Sequence, residues 1–257
     1  MTPVSPELTY GFLLVLIRTS GMLVSGPIFS QKGIPAWTKI GFAIFFSMVV
    51  VPGHADVLPV APTEMTGVIE AILREILFGL ALGLSMHLVF VALQMGSYIV
   101  GLQMGFGLGQ VFDPASGAQF GVLDQFYAVL VTLVFFTVNG HHAVITALSE
   151  TVEAVPPGTF DPFTLSTTGI AGLAMGLMIT ALRVAMPVMA ALFLTDVGMG
   201  FVARTAPQTN MLVTAAPVKI GVGILVLMAS LPATTHLMGI ALTGPLAGSS
   251  RQLLGAN

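Results

Sequence analysis

Residues 94–125 read QMGSYIVGLQMGFGLGQVFDPASGAQFGVLDQ, a glycine-studded stretch set between strongly apolar segments. Its glycines stand at 96, 101, 105, 107, 109, 117 and 121, and each glycine inside a helix costs roughly 0.5–1 kcal/mol relative to alanine. One continuous helix would forfeit that stability unless the glycines allow close helix approach or part of the stretch leaves the helix. Both readings apply. Gly101, Gly105 and Gly109 have the small-xxx-small spacing that lets membrane helices touch along their backbones. The Gly-Phe-Gly-Leu-Gly core at 105–109 is too flexible for a regular helix, and Asp113-Pro114 restarts one, with Asp as N-cap and Pro at the first helical position. The stretch therefore predicts an apolar glycine loop carrying Phe106, Leu108, Val111 and Phe112 between two membrane-type helices.

Composition sets the class. The 257 residues are 55% hydrophobic and only 7% charged, against about 25% charged in soluble domains. Mean hydropathy is +0.97. So few charges cannot cover a water-facing surface, which makes this an integral membrane protein. A net charge of −3, with eight Lys and Arg scattered singly, argues against nucleic acid as a partner. The absence of cysteine excludes disulfides and thiol chemistry. No Lys or Arg precedes the first apolar run and no A-x-A-like site follows it, so that run is expected to be retained as a membrane segment.

Along the chain, Ser5-Pro6-Glu7 supplies a cap, a first-turn proline and an acidic first turn for a helix running to about Phe29 and closed by Gly26-Pro27. A short polar loop, Gln31–Lys39, carries Lys32, Lys39 and Trp37, a grouping that points to the cytoplasmic face. Ile40–Val51 is a second apolar run. Thr63–Gln103 is the longest; as one helix at 1.5 Å per residue it would reach ~60 Å, twice the hydrocarbon thickness, unless it breaks near Gly79–Gly83. Asp113–Val138 is expected as the next helix, ending at Asn139-Gly140, and His141–Val155 as a milder segment closed by Pro156-Pro157-Gly158. Thr164–Val202, kinked at Pro187, and Met211–Leu231 complete about six substantial apolar segments, followed by a Gly/Pro-rich tail.

Candidate chemistry is sparse. Asp196 and Arg204 flank what reads as a glycine-rich turn in an apolar region, and a lone charge at such depth costs at least ~2.5–3.5 kcal/mol unless paired or facing a cavity. Two readings stand: a proton relay or substrate-ion site, or an ion pair or helix-terminus charge holding protein against protein. Arg18, Arg74, Glu75, Arg183 and Lys219 pose the same question, and their spread across segments favours buried contacts with other subunits. Asp113 is explained by capping, and His141-His142 by a polar turn after Asn139-Gly140. Gly105-x-Gly107-x-Gly109 is not a dinucleotide fingerprint, since the third glycine is misplaced and no strand precedes it. No P-loop, H-E-x-x-H or G-x-S-x-G is present. The fifteen methionines are chiefly packing residues, with Met95 and Met104 candidates for lining a deformable seal. No catalytic residue, cofactor or metal is expected.

These residues resemble the FliR family, the flagellar biosynthetic membrane proteins of the type III export gate, and their injectisome counterpart SctT. The carrying segments are Arg74-Glu75-x-x-x-Gly79-x-x-x-Gly83, Gln94-x-Gly96, Gln103-x-Gly105, Phe112-Asp113-Pro114-x-x-Gly117 and Asn139-Gly140-His141-His142. Further on come Pro156-x-Gly158, Asp196-x-x-x-Gly200-x-x-x-Arg204-x-x-Pro207-Gln208-x-Asn210 and Pro217-x-Lys219-Ile220. The resemblance implies an all-α membrane protein of about six long, kinked helices arranged as hairpins, similar to a FliP-like part fused to a FliQ-like hairpin. It implies one export-gate domain over 1–257, with 1–160 and 161–257 as subregions. The implied partners are FliP-like and FliQ-like subunits, FlhB-like and FlhA-like components, membrane lipid and unfolded export substrates, at the flagellar basal body of the bacterial inner membrane. It implies a channel for those substrates, plugged by Gly105, Phe106, Gly107, Leu108, Gly109, Val111 and Phe112. Arg74, Glu75, Asp196, Arg204, Gln208, Asn210 and Lys219 are then buried polar residues of the assembly. The competing readings are an injectisome SctT-type export subunit and, from another class, a secondary transporter with a broken-helix ion site at Asp196–Arg204. The transporter requires an inverted repeat, and the two glycine-rich breaks near 105 and 200 share no clear similarity.

Overall fold

The computed structural model describes residues 5–30, 33–106, 122–162, 167–205 and 211–253, and among them every regular element is helical. In chain order these are α1 (Pro6–Ser25), α2 (Ala36–Gly53), α3 (Met65–Met104), α4 (Val122–Thr137), α5 (Gly140–Ala154), α6 (Thr167–Thr205) and α7 (Met211–Leu253). A short 3-10 turn at Ala55–Val57 links α2 to α3. Five helices are long and apolar enough to cross a membrane, or six if the bent pair α4–α5 counts as one span. The all-α membrane architecture expected from composition is what the chain adopts.

Local chemistry explains most helix ends. Ser5 caps α1 by accepting the Leu8 N–H at 3.3 Å, with Pro6 and Glu7 in the first turn. Gly26 is extended ahead of Pro27 and ends that helix. Helix α2 begins right after Pro35, earlier than the polar loop predicted over 31–39, so Trp37 and Lys39 sit in its first turn. Trp37 is 83% exposed there. Asn139 takes a left-handed conformation (φ 55°), which Asn tolerates better than most residues, ahead of α5. Gly158 is also left-handed (φ 82°), in the turn where Thr159 N–H meets Pro156 O at 3.1 Å.

The long helices run on through their internal glycines and prolines. Helix α3 spans 40 residues without a break at Gly79–Gly83, so at 1.5 Å per residue it is ~60 Å long. Helix α6 passes through Pro187 and also through Gly198 and Gly200, where a turn was expected. Helix α7 continues past Pro217 and Pro232 into the tail, to Leu253. An apolar environment offers the backbone no water to bond, so the intrahelical ladder outweighs the local cost of glycine and proline.

The chain forms two compact units, Met1–Val89 with Asn139–Leu173 and Leu242–Asn257, and Phe90–Val138 with Ala174–Ala241. In the first, Leu14 and Tyr10 pack on Ala71, and the Phe78 and Phe160 rings lie 4.8 Å apart. In the second, Phe90 and Phe135 are 5.7 Å apart, and Leu93, Val100, Val131, Val188 and Leu192 are fully buried.

The Gly79–Gly83 segment is a close helix crossing. A Cβ added at Gly79 would strike the Arg18 carbonyl oxygen, and one at Gly83 would strike Ser25 Oγ and come within 2.5 Å of Met22 O. From the other side, a Cβ at Gly21 would stand 3.2 Å from Ile76 O. Ser25 Oγ–H reaches Leu80 O at 3.1 Å across the contact. The small-xxx-small logic therefore operates between α1 and α3. Gly79→Val should destabilise the purified protein by at least the ~1–3 kcal/mol of an overpacked core, read as a lowered Tm in detergent, whereas Gly41→Ala, with nothing within 4 Å, should leave Tm unchanged. Equal Tm for the two variants would refute the close crossing.

Candidate functional site

Arg18 and Glu75, charges within the apolar runs of α1 and α3, meet in the first unit with side chains 0% exposed. Arg18 Nε donates to Glu75 Oε2 at 2.6 Å and Nη2 to Oε1 at 3.0 Å, the paired fork that suits guanidinium to carboxylate. Nη1 donates to Thr151 O at 2.8 Å and approaches Thr151 Oγ1 at 3.4 Å, and Nη2 also donates to Val155 O at 2.9 Å. All five guanidinium N–H groups thus have an acceptor. Thr151 and Val155 carry carbonyls at the C-terminal end of α5, where the helix dipole is negative and a cation is favoured. Glu75 Oε1 accepts in addition from Gly158 N–H at 2.7 Å, and the guanidinium carbon lies 4.6 Å from the Phe78 ring centroid. One ion pair therefore ties α1, α3, α5 and the 156–158 turn. Nothing about it is poised for turnover, because every hydrogen-bonding group is already used.

Arg74, the neighbour of Glu75, faces elsewhere. It pairs with Glu70 one turn back, at 2.5 Å, and donates to Phe160 O at 3.3 Å.

In the second unit α3 ends in a built cap. Gly105 is left-handed (φ 95°), its N–H bonds Leu102 O at 3.1 Å, and the Phe106 N–H bonds Gly101 O at 3.1 Å. These are the two bonds of a Schellman motif, which glycine serves because it has no Cβ to clash at positive φ. Gly105 is a helix stop rather than one step of a packing face. Beside this cap, Gln103 Nε2 donates to Asp196 Oδ2 of α6 at 3.2 Å. Lys219 Nζ of α7 lies 2.5 Å from Asp196 Oδ1, with the two side chains 22% and 36% exposed. The cation meeting Asp196 is therefore Lys219. Arg204 stands ~12 Å further along the α6 axis, exposed in its last turn, where it complements the helix C-terminus.

A groove of about 580 Å³ runs along the same unit, lined by Val91, Gln94, Met95, Tyr98, Asp124, Gln125 and Ala128. Ser97 Oγ–H is shared there between Gln94 O at 2.7 Å and Asp124 Oδ1 at 3.0 Å. Among the described residues no group of three His, Cys, Asp or Glu converges as metal ligands.

Of the residues singled out in the sequence, Gly105 and Phe106 are placed at the end of α3, and Arg74, Glu75, Asp196, Arg204 and Lys219 on helices as above. Gly107, Leu108, Gly109, Val111, Phe112, Asp113, Gln208 and Asn210 lie outside the described residues. Sequence reasoning did not find the pairing of Arg18 with Glu75, nor the roles of Thr151, Val155 and Gly158. The one available signal was opposite charges set into two strongly apolar helices.

Comparison with known proteins gives a consistent result. Residues 9–243 match the family model described as bacterial export proteins, family 1. The flagellar biosynthetic protein FliR of Bacillus subtilis (strain 168) is 34% identical over 228 residues, 86% of each chain. That of Pectobacterium carotovorum subsp. carotovorum is 29% identical over 223 residues, 86% of this chain and 84% of the relative. That of Escherichia coli (strain K12) is 28% identical over 219 residues, 84% and 82% respectively.

Removing one partner of a buried, saturated ion pair strands the other, so Glu75→Gln and Arg18→Met should each cost about 3–5 kcal/mol. The double variant Arg18→Met/Glu75→Leu should cost clearly less than the sum, because no charge is left alone. Thermal unfolding of the three purified variants measures this; strictly additive losses would mean that the two side chains do not interact.

Proposed function

This chain belongs to the FliR family of bacterial export proteins, and from that membership we propose that it is a channel-forming subunit of the flagellar type III export gate. In this reading it works as a single export-gate domain over 1–257, with 1–160 and 161–257 as subregions. It assembles with FliP-like and FliQ-like subunits, near FlhB-like and FlhA-like components, in the inner membrane at the flagellar basal body. Unfolded export substrates pass through the assembly. The glycine-rich stretch from Gly105 to Phe112 closes the path, with Phe106, Leu108, Val111 and Phe112 as an apolar constriction and the glycines as hinges. The subunit conducts and seals, and the driving energy comes from outside the chain.

The observation that carries the proposal is the end of α3. A 40-residue helix stops at a left-handed glycine and leads directly into the apolar, glycine-rich sequence. Supporting it, α6 and α7 keep large apolar side chains exposed, among them Leu182, Met186, Phe193, Phe201, Leu225 and Met228. A helix twice the hydrocarbon thickness together with such faces suits protein neighbours as well as lipid. A solute transporter built on a broken helix at 196–204 loses its premise, because α6 is continuous there.

Deleting Gly105–Val111 should make the membrane leak ions while the complex still assembles, as measured by conductance of cells or proteoliposomes carrying it. Unchanged conductance in an assembled complex would overturn the plug. Arg204→Ala should instead lower the recovery of assembled complex without raising conductance. Normal recovery with blocked export would move Arg204 from assembly to gating.

A further inference from the structure

The last turn of α3 is seated from the side by two consecutive residues. Gln103 reaches the Asp196 carboxylate, whose other oxygen is held by the Lys219 ammonium. Met104, fully buried, lies over Gly223, where an added Cβ would come within 2.7 Å of its Cε. Lys219 and Gly223 are four apart on α7 and so share one face of that helix. One face of α7 therefore presents a charge and a notch to the end of α3, and α6 supplies the carboxylate between them.

We propose that Gln103, Asp196 and Lys219 form a clamp that fixes the root of the glycine-rich stretch, with Asp196 as the positioning residue for the Gly105–Phe106 cap. This rests on reading that stretch as the plug. An Asp–Lys pair alone would satisfy both charges, so balancing charge does not account for the Gln103 contact. The Schellman bonds fix the shape of the turn at Gly105 but not where the turn sits against α6 and α7. The Gln103 amide supplies that placement. It binds an ionised acceptor, which makes it stronger than a bond between neutral groups. With Gln103 and Met104 both seated, the last turn of α3 is held in place up to the Gly105 cap. The clamp also explains why a carboxylate and an ammonium are kept in apolar helices, where each alone is costly.

The chain contains no cysteine, so Phe106→Cys places a single reporter thiol next to the cap, and its rate of modification by a membrane-impermeant maleimide reads how firmly the root is held in the assembled complex. In that background Gln103→Leu leaves the Asp196–Lys219 pair intact. It should keep the normal yield of complex while the thiol reacts faster, on the order of tenfold, as expected for losing one charge-assisted hydrogen bond. Asp196→Lys alone should also speed the reaction. Asp196→Lys with Lys219→Asp should restore the slow rate, because the Gln103 amide can turn and accept from a lysine as readily as it donates to a carboxylate. An unchanged rate in Gln103→Leu would overturn the clamp, and so would a charge swap that reacts as fast as the single variant. Conductance of Gln103→Leu with Phe106 intact separates the two ideas: faster modification of the reporter without an ion leak in the Phe106-intact complex keeps the clamp and removes the plug.

Discussion

The Arg18–Glu75 pair is the constraint on which the rest of the first unit depends. Two full charges with no exposure are tolerable only if every donor and acceptor is satisfied, and here that requires four separate parts of the chain to arrive together. The same demand accounts for the glycines. Gly79, one turn beyond Glu75, rests on the backbone of Arg18 itself, and any side chain there would push α1 away from the carboxylate its arginine must reach. Gly21 and Gly83 extend the close approach along both helices. Charge pairing and backbone contact are thus two aspects of one crossing.

Glycine shows how far the sequence could be read. Gly105 was expected to end the helix, and it does, because its left-handed cap is a local matter settled by neighbouring residues. At Gly79–Gly83 the chain could break or run on beyond the hydrocarbon thickness, and it runs on, in close contact with α1 more than fifty residues away in sequence. Gly198 and Gly200 suggested a turn, but they lie within a continuous helix with open space around them. The residue type is ambiguous without its partner. Caps written into short segments, such as Ser5-Pro6-Glu7 and Asn139-Gly140, were legible for the opposite reason.

The charged residues follow the same division. That Arg18, Glu75, Asp196 and Lys219 needed partners was evident from their apolar surroundings. Which charge met which was not, and Asp196 found Lys219 on the next helix instead of Arg204 on its own. The membrane class and the all-helical fold were legible because they rest on composition and helix-length apolar runs, which no single contact can reverse. The helix stop at Gly105 was legible because a strongly apolar helix runs there into a cluster of glycines.

Amide hydrogen exchange at Gly158 in the intact, purified protein tests the central node most directly. This amide lies in a turn between helices, where exchange would ordinarily be fast, yet it donates to a fully buried carboxylate. Its exchange should therefore be as slow as that of the α1 and α3 core amides, opening only with the unit as a whole. Exchange at the rate of an ordinary surface turn would contradict the claim that Arg18 and Glu75 hold these elements together.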